Sequence, residues 1–134
     1  MEIYVVERNK LVRDRIVVGL QQFPEFIVTC GTGYAAIEEI RQRDYEVVFL
    51  GVPDLGNSEG MQLLEKLRDL GRPIDIVVTT QEAQLRDLAK QKAKYNISAV
   101  MAAPIDPADF FRVVSRLRER REDSSRSMPS PLPR

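Results

Sequence analysis

The strongest constraint on the fold is a regular alternation of five short apolar runs with longer segments of helical periodicity. The runs are IYVV at 3–6, FIVTC at 26–30, EVVFL at 46–50, IDIVV at 74–78 and SAVMA at 98–102. Continuous runs of this length, rich in valine and isoleucine, are typical of strands that are covered on both faces. The sequence therefore predicts five buried strands.

The segments between and after the runs predict five helices. Each segment carries apolar residues three or four positions apart, which places them on one side of a helix. Residues that favour a helix start precede several of them: Asn9, Ser58 or Gly60, and Asp106 followed by Pro107. The predicted helices run from Asn9 to Gln22, from Tyr34 to Arg43, from Ser58 or Gly60 to just before Gly71, from Gln81 to Lys94, and from Pro107 to about Arg121.

Strands and helices that alternate in this way predict an α/β fold, with a doubly wound parallel sheet and helices on both of its faces. Sites in such sheets form at the carboxyl ends of the strands. The residues expected at that edge are Glu7, Arg8, Cys30, Gly51, Thr79, Thr80, Ala102 and Ala103.

The composition excludes several classes of site within this chain. There is no histidine and a single cysteine, which excludes an internal disulfide, His or Cys metal clusters and acid/base catalysis by histidine. We predict no metal and no cofactor, and we interpret Cys30 as a small buried hydrophobic residue.

Twenty basic residues balance twenty acidic ones, so bulk charge gives no reason to expect direct binding to nucleic acid or to a membrane. No apolar segment approaches the ~20 residues of a membrane span, and we predict that the chain is cytoplasmic.

The composition changes near the end of the chain, where RERREDSSRSMPSPLPR is first charged and then rich in serine and proline. A segment of this kind buries too little apolar area to offset the entropy lost on ordering. We predict one folded domain over 1–121, followed by a disordered tail or linker over 122–134.

Three motifs resemble the receiver domain of bacterial two-component response regulators, the CheY-like superfamily. They are EVVFLGVPD with EGMQLLEKLR around the third strand and helix, IVVTT at the fourth strand, and MAAPIDPADFFRVV at the fifth strand and last helix. The resemblance covers about residues 1–120. It implies a flavodoxin-like (βα)5 fold, with strand order 2-1-3-4-5 in a three-layer sandwich.

Receivers of this family take a phosphoryl group on an aspartate at the end of the third strand. The resemblance places Gly51 at that position, where there is no side chain. Of the two acids that hold magnesium in the family, Glu7 is kept and Arg8 replaces the second. Ala103 stands where the family has lysine, although Pro104 after it is kept. The family's hydroxyl is Thr80, or Thr79 if the register shifts by one residue.

These substitutions predict a degenerate receiver, or pseudo-receiver, that is not an enzyme and acts without phosphorylation. Two alternatives stay open. Asp54, three residues after Gly51, is an alternative phosphoryl acceptor, although the composition of PDLG favours a turn. Arg8 and Thr80 could instead bind an anion or small metabolite at the strand ends. We expect Arg8 to fill the space beside Gly51 and to pair with Asp54 or Glu7.

The predicted partner is another protein, either a signalling protein or an output domain. In receivers, the fourth helix, fifth strand and fifth helix form the surface that meets partners or a second copy. Charged residues predicted on that face could also form a homodimer through it. They are Asp87, Lys90, Lys94, Arg112, Arg116 and Arg118.

Overall fold

The computed structural model of the chain describes residues 1–56 and 58–127, and these contain five strands in one parallel sheet. The sheet order is β2-β1-β3-β4-β5, with all neighbouring strands parallel. This confirms the predicted flavodoxin-like topology. The strands are β1 Glu2–Val6, β2 Ile27–Cys30, β3 Val47–Gly51, β4 Asp75–Gln81 and β5 Ile97–Ala103.

Within the described part of the chain, six helices connect and flank these strands. Two buried clusters show how they divide between the faces of the sheet: α1 and α6 pack on one face, and α2, α3, α4 and α5 on the other. The result is the three-layer sandwich that the sequence predicted. The helices are α1 Lys10–Leu20, α2 Gly33–Gln42, α3 Glu59–Asp69, α4 Glu82–Ala89, α5 Lys92–Tyr95 and α6 Pro107–Ser127.

Local signals in the sequence explain where several helices begin and end. The Asn9 side chain accepts hydrogen bonds from the amides of Leu11 and Val12, which caps α1 as predicted. Ser58, rather than Gly60, caps α3 by accepting from the Met61 amide. Gly71 follows that helix with φ +65°, a conformation that costs glycine little.

Two predicted helices have the wrong bounds. The segment 81–94 forms two helices, because Gln91 donates to the Leu88 carbonyl in a tightened turn between α4 and α5. Lysines at positions 90 and 94 would face each other in one continuous helix, which weakens it. The last helix was predicted to end near Arg121, but it continues to Ser127, so 122–127 do not belong to a disordered tail. The rest of that predicted tail, 128–134, lies outside the described residues.

The strand β4 is also longer than predicted. It continues past Val78 to Gln81, because it pairs with β3 as far as Thr79 and with β5 as far as Gln81. The threonines therefore lie inside a central strand, and both are buried.

A buried acid fixes α6 to the opposite edge of the sheet, where the strands begin. Asp75 is the first residue of β4, and its side chain is 10% exposed. Its two oxygens contact Arg120 and Arg121 of α6, each at 3.1 Å. A bulge in the β4–β5 pairing falls at Ser98, whose hydroxyl donates to the Asp75 carboxylate at 2.7 Å. This Asp75 anchor was not predicted from the sequence.

Candidate functional site

The carboxylate of Glu7 fills the space beside Gly51 at the carboxyl end of β3. A Cβ atom built on Gly51 would lie 2.5 Å and 2.6 Å from the two Glu7 carboxylate oxygens. The Thr79 hydroxyl donates to Glu7 Oε1 at 2.8 Å, and the Asn9 amide donates to Glu7 Oε2 at 3.1 Å. Both oxygens of this carboxylate therefore have partners, and glycine is the residue that leaves room for it.

Arg8 does not occupy the position predicted for it. Its side chain is 87% exposed and pairs with Glu59 of α3 at 3.2 Å, not with Asp54 or Glu7. The prediction was wrong because side chains alternate along an extended chain, so Glu7 and Arg8 leave β1 in different directions. Glu7, which points toward Gly51, takes the vacated space instead.

The structure separates the two threonines that the sequence could not distinguish. Thr79 pairs in register with Gly51 and reaches Glu7. Thr80 pairs with Ala102 and points to the other face, where its hydroxyl has no hydrogen-bond partner among the described residues. The predicted combination of Arg8 with Thr80 is therefore not brought together.

Two further positions of the resemblance lie at the end of β5. Ala103 pairs with Gln81 and packs against the cluster under α1 and α6. The peptide bond between Ala103 and Pro104 is cis. Thr79 pairs with Met101, and Ala103 follows Met101 by two residues along β5. Ala103 thus lies on the same face of the sheet as Thr79.

Asp54 lies in the exposed loop after β3 and has a local structural role. Its Oδ1 accepts a hydrogen bond from the Gly56 amide at 3.0 Å, which is the side-chain turn expected of aspartate. The Ser58 hydroxyl donates to the Asp54 carbonyl at 3.0 Å, which ties the turn to the cap of α3.

Two adjoining cavities open at the ends of β1, β2 and β3. One, of about 310 Å³, lies between the β1 end and α3, and the other, of about 520 Å³, lies beside the β2 end. Both are lined by Glu7, Arg8 and Glu59. Arg8 is the one arginine of the smaller cavity, and Arg13 adds a second to the larger one. The positive charges therefore at most balance the two carboxylates, so the lining offers an anion little net attraction.

Glu59 is the residue of this region that sequence analysis missed. A Cβ on Gly33 would come within 2.2 Å of its Oε1, so it fills the space over the start of α2. Its position in the first turn of α3, directly after the Ser58 cap, was the signal that could have found it, since acids favour helix starts.

Cys30 is exposed, and its interpretation as a buried hydrophobic residue was wrong. It ends β2, which is an edge strand of the sheet, so neighbours cover it from one side only. Partial burial of the sulfur raises the pKa of the Cys30 thiol, and the nearby Arg13 charge opposes that effect only in part.

Alkylation of Cys30 by iodoacetamide is expected to be several-fold slower at pH 7.5 than that of a small free thiol. The reagent can reach the sulfur, but a raised pKa lowers the fraction of reactive thiolate. The pH at half-maximal rate should lie above the ordinary thiol value of about 8.5. The measurement is intact mass against time over a pH series, with the chain in concentrated guanidinium chloride as the control. Equal rates in the folded and unfolded chain would contradict the expectation.

The residues of the predicted charged face are exposed, but one of them, Arg118, lies on a different side of α6 from the others. Asp87 of α4, Lys90 directly after α4 and Lys94 of α5 are exposed. Arg112 and Arg116 are exposed on α6, where Arg112 pairs with Asp109. Arg118 was wrongly grouped with them, because it turns toward the other side of α6.

Contacts with the chain after α1 show where Arg118 lies. It pairs with Glu25 at 3.0 Å and lies over the Phe23 ring at 5.0 Å. A helix repeats every 3.6 residues, so Arg118 shares a side with Phe111 rather than with Arg116.

The family model for the response regulator receiver domain matches residues 3–115, which is most of the chain. The chain belongs to this family. Transcriptional regulatory protein CutR of Streptomyces coelicolor and its counterpart in Streptomyces lividans are each 28% identical over 134 residues. The match covers all of this chain and 59% of each relative, so the chain spans less than two thirds of their length.

Solved structures of receiver domains share the fold. The signal receiver domain of a putative Luxo repressor protein from Vibrio parahaemolyticus superposes with a TM-score of 0.79 at 16% identity, covering 96% of this chain and 98% of that one. A CheY-like receiver domain protein from Methanospirillum hungatei gives 0.70 at 22% identity, covering 91% and 97%.

Membership identifies the chain as the receiver domain of a two-component response regulator. Such domains are generally non-enzymatic signalling modules that act on partner proteins or output domains. Within the part of the chain that the structure describes, no helix has the length and apolar character needed to cross a bilayer.

Proposed function

We propose that this receiver domain signals without phosphorylation, as a pseudo-receiver that acts by binding other proteins. The observation that carries the proposal is the position of Glu7. Its carboxylate occupies the space beside Gly51, with hydrogen bonds from Thr79 and Asn9. A receiver of the ordinary kind holds its acceptor carboxylate at the end of β3, and here a neighbouring strand supplies a fixed carboxylate there.

Glu7 does not replace the missing acceptor chemically. Two hydrogen bonds hold its oxygens against the sheet, so the carboxylate is neither free nor directed outward as a nucleophile. The charge that would stabilise a transferring phosphoryl group is also missing, since Ala103 has no ammonium group and Arg8 extends into solvent. We therefore propose that Glu7 and Thr79 keep the β1, β3 and β4 ends in one arrangement.

The residues present do not fit the magnesium ion that receivers use. Magnesium prefers several oxygen ligands in octahedral geometry. Here Glu7 uses both oxygens in hydrogen bonds, the second acidic position carries Arg8, and Gly51 has no side chain. Among the side chains that the structure describes, no group of three or more acidic or cysteine side chains could hold a metal ion.

Incubation with magnesium and acetyl phosphate is expected to leave the intact mass unchanged, because no acceptor carboxylate is available at Gly51. Addition of beryllofluoride should leave the amide resonances of Gly51, Thr79 and Thr80 in place. A receiver domain with an intact acceptor, treated in parallel, serves as the control for both reagents. A phosphoryl adduct, or specific shifts of those amide resonances, would contradict the proposal.

The same experiment addresses phosphorylation at Asp54. An adduct that disappears in Asp54→Asn would favour that alternative. The Asp54 side chain is engaged with the Gly56 amide in an exposed loop, which supports a structural role instead. The anion-sensor alternative has less support, because Arg8 and Thr80 lie apart and Glu7 and Glu59 line the cavities.

The partner surface that we propose is the charged face of α4, β5 and α6. Asp87, Lys90, Lys94, Arg112 and Arg116 are all exposed, and four of these five charges are positive. Such a surface suits a polar interface, in which charge placement selects the partner more than it adds affinity. A homodimer through this face is one form of the proposal. An output domain is another, since CutR is a transcriptional regulatory protein and is longer than this chain.

A further inference from the structure

An apolar groove between α1 and the start of α6 is the second candidate surface of the molecule. Its volume is about 430 Å³, and its floor includes Gly19 and Phe110. The two helices approach closely here, since a Cβ on Gly19 would lie 2.6 Å from the Phe110 ring. Nothing in the proposed function uses this groove, which lies on the opposite side of α6 from Arg116.

Large apolar side chains stand exposed along this groove. Leu11 is 75% exposed, Val18 56% and Phe111 55%, and all three line it. They are three of the five large apolar residues that are exposed in the described part of the chain. Clustering of this kind marks an interaction surface, whereas apolar residues scattered singly over a surface do not.

We propose that a second copy of this chain binds here, through antiparallel contact of the two α1 helices about a twofold axis. The proposal rests on the order of the exposed α1 residues that line the groove, which is Leu11, Asp14, Arg15 and Val18. Their spacing of three, one and three residues spans two turns of the helix, and the contact stripe of paired helices has the same spacing.

The stripe is complementary to itself when it is reversed. In an antiparallel pair with the axis between positions 14 and 15, Leu11 of one copy faces Val18 of the other. Asp14 of one copy then faces Arg15 of the other, and the symmetry repeats each contact. A twofold interface requires a surface that fits its own copy in this way. Phe111 flanks the stripe and adds apolar area at each end.

The charges of Asp14 and Arg15 favour a second copy of the chain over an unrelated partner. Neither Asp14 nor Arg15 has an ion-pair partner among the described residues of its own chain. One acid and one base, adjacent on the same stripe, are neutral together and satisfy each other only across a reversed copy. A partner of a single charge sign would gain from one of them and lose from the other.

Sedimentation equilibrium of charge-reversed variants tests the proposal. The unmodified chain should dimerise, and Asp14→Arg and Arg15→Asp should each weaken the dimer at least about tenfold, because like charges then meet twice at the axis. An equimolar mixture of the two variants should form a heterodimer, since the opposite signs face each other again. The double variant D14R/R15D should restore the homodimer for the same reason.

Substitutions at exposed positions inside and outside the groove show whether the dimer forms through the groove or through another surface. Phe111→Ser should weaken the dimer, whereas Tyr34→Ser, at an exposed aromatic on α2, should not. Arg112→Glu, on the charged face, should leave the dimer intact. Thermal unfolding of each variant confirms that it is folded, which is expected because all these side chains are exposed.

Four outcomes would overturn the proposal. They are a monomer at high concentration, single variants that dimerise like the original, a mixture that stays monomeric, or a dimer lost through Arg112→Glu alone. The first of these would leave the groove to a different protein. None of the four depends on phosphorylation, so this test and that of the proposed function can fail independently.

Discussion

Replacement of Asp75 by alanine is expected to lower the free energy of unfolding by about 3 kcal/mol, because it leaves the Arg121 charge partly buried without its acid. Asp75 contacts Arg120, Arg121 and Ser98 at the amino edge of the sheet. The loss should appear as a lower midpoint in urea unfolding with an unchanged slope, since the same surface is exposed on unfolding.

The two arginines of this Asp75 anchor should differ in importance. The Arg120 side chain is 60% exposed, so Arg120→Ala should cost no more than about 0.5 kcal/mol. Arg121 is more buried and also donates to the Glu46 and Pro73 carbonyls, so its loss should cost about 1–3 kcal/mol.

The exposed pair of Arg68 and Asp69 supplies the control for this series. Asp69→Ala removes an acid of the same kind from a solvated pair and should change stability by at most about 0.5 kcal/mol. If Asp75→Ala behaved like Asp69→Ala, the Asp75 anchor would not stabilise the fold.

Replacement of Gly51 by aspartate, the apparent repair of the receiver, is expected to destabilise the domain by about 2–4 kcal/mol and to restore no phosphorylation. The new side chain would begin 2.5 Å from Glu7 Oε1. Glu7 would have to leave Thr79 and Asn9, and hydrogen bonds to a charged group contribute about 1.5–3 kcal/mol each. Two carboxylates would then share one small space.

The pH dependence of the stability of Gly51→Asp shows whether the charge or the size of the new side chain destabilises the domain. A neighbouring carboxylate raises the pKa of the introduced carboxyl in the folded state. The folded state then binds a proton more tightly than the unfolded state, so the deficit in stability should shrink as the pH falls through that raised pKa. Gly51→Ala introduces the bulk without the charge, and its deficit should not shrink in this way.

A double variant supplies the remaining control. With Glu7→Ala in the same chain, Gly51→Asp should lose most of its additional destabilisation, because the space is vacant. The two substitutions are in contact, so their effects should not add. Additive effects in the double variant, or a Gly51→Asp protein as stable as the original, would contradict the packing of Glu7 against Gly51.

The sequence predicted the fold in detail because its signals are local and agree with one another. Continuous apolar runs gave five strands, and Asn9, Ser58 and Gly71 marked helix ends. Strand order came from the resemblance to receivers, which periodicity alone cannot supply. The errors lie where tertiary contacts overrule composition. The charged end of α6 looked unfavourable for packing, yet Arg121 is directed inward to Asp75.

The site was predicted by position but not by arrangement. Glu7, Arg8, Gly51 and Thr79 were all named, yet the sequence assigned the empty space to Arg8. Which side chain enters that space depends on the direction in which each one leaves β1. It also depends on a partner 72 residues away, the Thr79 hydroxyl. The alternation of side chains along β1 is a local pattern that separates Glu7 from Arg8, but the distant partner that fixes Glu7 is not encoded locally.

One short hydrogen-bonded path joins the strand-end pocket to the α1 surface. Glu7 accepts from the Asn9 amide, and the Asn9 side chain accepts from the Leu11 amide. Leu11 is the first residue of the α1 stripe. The carboxylate beside Gly51 therefore also holds the first turn of α1 in place, and displacement of Glu7 would loosen that turn from its cap. In this domain the strand-end pocket and the α1 surface are adjacent parts of one framework, four residues apart along the chain.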